Sequence, residues 1–73
     1  MADVTLHVDE NLDPARRHDL DSALRAVNGV ISVHNPDEKP HLITVEYDPD
    51  STNSRALLDC VLATGVQAEL IGF

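Results

Sequence analysis

A chain of 73 residues makes one domain, spanning 1–73, near the lower size at which a core holds without help. With 13 acidic against 5 basic residues the net charge is −8, which excludes a nucleic-acid binder or an anionic membrane surface, since both call for Lys and Arg. A single cysteine, Cys60, excludes an internal disulfide and a four-cysteine zinc site, and suits a reducing, cytoplasmic setting.

In chain order, Val4, Leu6 and Val8 alternate with Asp3, Thr5 and His7, the pattern of a half-buried strand. Residues 9–12 are polar and turn-like. Asp13-Pro14 then predicts a helix start: the Asp carboxylate accepts from orphan N–H groups, and proline tolerates the first helical position. Leu20, Ala23, Leu24 and Val27 follow at helical spacing as one buried stripe, with Asp21 and Arg25 as an exposed pair. Asn28-Gly29 closes this helix.

Val30 to Asn35 reads as a second strand, and the two prolines of 35–40 as a turn. His41 to Tyr47 reads as a third strand, with Ile43, Val45 and Tyr47 on one face and Leu42, Thr44 and Glu46 on the other. A polar loop, 48–52, leads to a second helix capped by Thr52 or Asn53. Its inner stripe is Leu57, Cys60, Val61 and Thr64, with Leu58 and Leu62 on the shoulder. Gly65 ends it, and Val66 to Ile71 is the fourth strand, with Val66, Ala68 and Leu70 inward. No apolar run approaches the ~20 residues of a membrane span, and no signal-peptide pattern is visible.

Two helical crossovers around a central hairpin predict an α+β, ferredoxin-like βαββαβ sandwich: a four-stranded antiparallel sheet with both helices on one face. The expected strand order is 4-1-3-2. The first and third strands are expected to be adjacent and parallel, so that the loops following them emerge at the same end.

Gly29-Val30-x-x-Val33, Val45-x-Tyr47-Asp48 and Leu57 through Gly65-Val66-x-Ala68 occur in order over residues 4–71. In these features the chain resembles the heavy-metal-associated domains of copper chaperones and metal-pumping ATPases. That family binds soft Cu(I) through a Gly-Met-x-Cys-x-x-Cys loop into the first helix. The corresponding stretch here is Glu10-Asn11-Leu12-Asp13-Pro14-Ala15-Arg16, with neither cysteine. Asp13 is a hard ligand, and Arg16 repels any cation. The family's aromatic after the second helix is Val66. The resemblance therefore implies the scaffold without its thiolate site, and assigns no metal residue and no cofactor.

The remaining candidates come from the residues themselves. Asp9, Glu10 and Asp13 in the first loop, with Asp48 and Asp50 in the second, would form one acidic end able to dock a basic protein surface, or to hold a hard cation; solvated turn residues are the plain alternative. His7, His18, His34 and His41 are expected to be scattered, with His34 opposite Leu42 and His7 beside Glu46. Cys60 reads as a small core residue. Leu42 and Ile71 are expected on the open sheet face near one end, as a candidate partner or dimer patch. Arg16 and Arg17 resemble half of an acylphosphatase phosphate cradle, but read as surface charge.

No catalytic set is present, so the chain is read as a non-enzyme. The first expectation is a protein-interaction or adaptor module, monomeric or weakly dimeric. The second is residual metal handling through carboxylates or histidine, and the third a small-ligand regulatory domain of the ACT type.

Overall fold

Each helix begins at a side-chain cap. In the computed structural model, which describes residues 2–72, Asp13 is extended and its Oδ1 accepts from the Arg16 N–H at 2.8 Å. Asn53 does the same for the Ala56 N–H at 2.8 Å, so of Thr52 and Asn53 it is Asn53 that caps. The elements run β1 (Ala2–Val8), α1 (Pro14–Arg25), β2 (Val30–His34), β3 (Leu42–Tyr47), α2 (Ser54–Ala63) and β4 (Ala68–Gly72). Helix α1 stops at Arg25, short of Asn28-Gly29, and a turn carries the chain to Gly29.

Gly29 has φ +101°, and a Cβ there would stand 2.6 Å from the Ser51 Cβ. Only glycine meets both demands, the left-handed backbone and the close approach of the loop after β3.

The strands lie in the order β2-β3-β1-β4, as expected, and every neighbouring pair is antiparallel. The expected parallel pairing of the first and third strands is wrong. The α1 crossover returns the chain so that β2 runs parallel to β1 with one strand's width between them. The hairpin then folds β3 back into that gap, antiparallel to both. Asp9, Glu10 and Asp13 therefore stand at one end of the sheet, and Asp48 and Asp50 at the other.

Register differs as well. His34 faces Thr44, not Leu42. The Asn35 side chain explains the shift: its amide donates to Pro40 O at 3.1 Å and to Leu42 O at 2.7 Å, taking a ladder carbonyl and lengthening the turn.

Val4, Leu6, Val8, Val33, Ile43, Val45 and Tyr47 face one way and meet Leu20, Leu24, Leu57, Val61 and Val66 in a single cluster. Both helices thus cover the same face. Fully burying each such aliphatic side chain stabilises by about 1.5–3 kcal/mol before chain entropy is counted. No buried polar or charged residue occurs among the described residues. Thr64, expected in the α2 stripe, is exposed and caps the helix end instead, its hydroxyl donating to Val61 O at 2.7 Å. No described helix is long and apolar enough to cross a membrane.

Candidate functional site

The uncovered sheet face and the end where β1 runs into α1 hold most of the chemistry. The Val8 N–H donates to His41 O at 2.8 Å, and the Asp9 N–H to Gln67 O at 2.9 Å. Glu10 Oε1 accepts from the Gln67 N–H at 3.0 Å. The exit of β1 is thereby held on both sides, to the turn before β3 and to the segment before β4.

Two of the four histidines meet there. His7 and His41 have ring centroids 5.8 Å apart and planes 18° from parallel. His41 Nδ1 lies 2.7 Å from Val8 O. A carbonyl only accepts, so Nδ1 carries the proton and, in the neutral ring, Nε2 keeps its lone pair.

His7 Nδ1 lies 3.0 Å from Asp9 Oδ1 and 3.9 Å from Glu69 Oε1. Alternation along β1 puts His7 and Asp9 on the same side, and Glu69 is the direct register partner of His7 on β4. Sequence reading missed Glu69 because its pairing depends on a bulge between Thr5 and Leu6.

The expected His7–Glu46 pair does not form. Glu46 faces Asp3 across β1, accepts from Ser32 Oγ at 2.7 Å and lies 4.0 Å from His34 Nε2. His18 is exposed on α1, away from this group. The open face is therefore a polar surface with Thr5 and Thr44 in contact at its centre, 3.4 Å apart. Leu42 is half-buried and Ile71 is 53% exposed. They flank β1 on opposite sides, with Thr5 and His7 between them.

Arg17 is no loose surface charge. Its guanidinium donates to Asn35 Oδ1 at 2.8 Å, Asn35 O at 3.1 Å and Asp37 Oδ1 at 3.1 Å, with only 16% of the side chain exposed. It clamps the start of α1 to the β2–β3 turn, beneath an open groove of about 610 Å³ between them. With three of its five N–H donors spent on the protein itself, Arg17 is built into a structural clamp.

At the opposite end, Asp48 builds its own turn. Its carboxylate accepts from the Asp50 N–H at 3.0 Å and from Ser51 Oγ at 3.4 Å, and its own N–H donates to Gly29 O at 2.8 Å. Cys60 is half-buried between the helices, with Sγ 3.5 Å from Ala23 O. Burial pushes its thiol pKa above the ordinary value, the opposite of what a thiolate ligand or nucleophile needs.

No protein-family model and no curated protein sequence matches this chain. Solved structures do match. The copper-binding domain of HMA7, a P-type ATPase, is 21% identical with a TM-score of 0.89, over 99% of this chain and 96% of that one. Oxidised MerP from Ralstonia metallidurans is 23% identical with a TM-score of 0.84, over 94% of each chain. The copper chaperone of Enterococcus hirae in its apo form is 19% identical with a TM-score of 0.83, over 93% of this chain and 98% of that one. The fold is that of the heavy-metal-associated domains, on a chain with a single cysteine.

Proposed function

We propose that this chain is a non-catalytic, heavy-metal-associated-like module that carries no Cu(I) and docks a protein partner with a basic surface, in a reducing compartment such as the cytoplasm. One observation carries the reading. The stretch into α1 holds no sulfur, and its Asp13 carboxylate is committed to capping the helix it precedes. The chain's one cysteine sits on α2, half-buried against α1. Similar solved structures bind copper on this scaffold, and the soft ligand pair for that chemistry is missing here.

The β1-exit end supports docking. Asp9, Glu10 and Asp13 are exposed there, and the neighbouring turn adds exposed Asp37 and Glu38. Arg16 and Lys39 only partly offset them. Asp48 and Asp50 belong to the far end and take no part. Such a surface steers a basic partner, with an on-rate that falls as salt rises.

The test has two arms. Titration of Cu(I) against a competing chelator is expected to show no stoichiometric transfer to the chain; 1:1 transfer would overturn the loss of the copper function. For docking, recovery of partner on the immobilised chain is compared between Glu10→Gln/Asp13→Asn and Asp48→Asn/Asp50→Asn. Both doubles preserve hydrogen-bond acceptors while removing charge. The first is expected to lose most of the partner and the second to retain it; equal recovery would move the interface elsewhere.

A further inference from the structure

We propose that His7, Asp9 and Glu69 form a binding site for a borderline divalent transition cation of the Zn²⁺ class, on the open face of the sheet at the exit of β1. The three side chains offer one ligand atom each, and these atoms all lie within 4.8 Å of one another. In a tetrahedral site with bonds of about 2.0–2.1 Å, neighbouring ligand atoms stand about 3.3 Å apart. The His7 Nδ1 distances to Asp9 Oδ1 and Glu69 Oε1, 3.0 and 3.9 Å, bracket that spacing. Small rotations of exposed side chains close the difference, without backbone movement.

The backbone that bears these ligands is already fixed. Hydrogen bonds from Val8 and Asp9 tie the strand end to His41 and Gln67, and His7 and Glu69 are direct partners across the β1–β4 ladder. His41 positions this strand end: its Nδ1–H holds Val8 O, the carbonyl between His7 and Asp9, while its ring flanks that of His7. His7 and Glu69 on paired strands, with Asp9 tied by its N–H just past the end of β1, lose little backbone freedom on binding.

The donor set selects the ion. One imidazole nitrogen with two carboxylate oxygens suits Zn²⁺, Ni²⁺ or Cu²⁺; it lacks the sulfur that Cu(I) prefers and the all-oxygen shell that Ca²⁺ and Mg²⁺ require. Two carboxylates converging on one ring nitrogen repel each other unless a positive charge stands between them. A net charge of −8 raises the local concentration of any cation. The fourth position faces solvent and takes water, which makes the site an open one.

The site is separate from the docking surface in all but Asp9, so the two readings fail independently. The probe is Zn²⁺ alone, added to the full chain in a non-coordinating buffer and followed by backbone amide and histidine ring NMR signals. Saturable 1:1 binding is expected, with shifts centred on His7, Val8, Asp9 and residues 68–70. His7→Gln and Glu69→Gln are each expected to weaken it at least tenfold. His34→Gln, and the Glu10→Gln/Asp13→Asn double used for docking, are expected to change it less than twofold. Shifts centred on His18 or His34, no saturation at millimolar Zn²⁺, or unchanged affinity in both His7→Gln and Glu69→Gln would overturn the site.

Discussion

The two loops that feed the helices use the same device in unlike surroundings. Loop 9–13 and loop 48–53 each end in a side chain that caps the next helix, Asp13 and Asn53, with bonds of 2.8 Å in both. Loop 48–53 is folded against Gly29 and uses the Asp48 carboxylate to shape itself. Loop 9–13 is held by the backbones of the strands beside it, which leaves the Asp9 carboxylate facing His7. One loop spends Asp48 on its own turn, and the other leaves Asp9 exposed beside His7. The same residue type therefore has two meanings in one small fold, decided by which backbone groups reach it first.

That contrast can be broken most severely at Gly29. Gly29→Ala forces a left-handed backbone on a residue with a Cβ and drives that Cβ into Ser51, a cost of about 2–4 kcal/mol. Thermal melting followed by circular dichroism is expected to show a midpoint lowered by at least about 8 °C. Amide signals of the folded variant are expected to move around residues 28–31 and 48–53, and little around His7. Widespread shifts at the β1 exit would mean that the two ends are coupled.

Next in size is Arg17→Met, which removes the clamp between α1 and the β2–β3 turn and leaves Asn35 without its guanidinium partner. Denaturant unfolding is expected to show a loss of about 1–2 kcal/mol. Arg17→Lys is expected to recover little of it, because an ammonium cannot reproduce the fork.

The caps come third. Asp13→Ala and Asn53→Ala are each expected to cost about 1 kcal/mol, and Asp13→Asn only a few tenths. Chemical denaturation of the three side by side tests whether the loops share the device. A much larger cost at Asp13 would show that its carboxylate does more than cap. The smallest effect is expected at Asp50, whose side chain is exposed: Asp50→Asn is expected to stay within about 0.5 kcal/mol in the same assay.

Much of this was legible in the residues. Alternation in 4–8 and 42–47, helical spacing from Leu20 to Leu24, and the polar residues before each helix are local signals, and the structure keeps them. The split between the acidic loops was within reach too. A crossover followed by a hairpin leaves the first and third strands antiparallel, and that rule alone separates Asp9 from Asp48. The thiolate site was legible as an absence, since two cysteines are either in the loop or not.

What the sequence by itself determined is the identity, order and buried faces of the elements, because periodicity and capping depend on neighbours a few residues away. Only the tertiary structure decided which side chains meet across strands. The bulge at Thr5/Leu6 and the Asn35-stretched turn set registers that no alternation pattern records, since sliding a strand by two residues leaves its faces unchanged. His34 therefore faces Thr44, and Glu69 reaches His7 from a strand some sixty residues away in the chain. The fold's chemistry rests on those pairings.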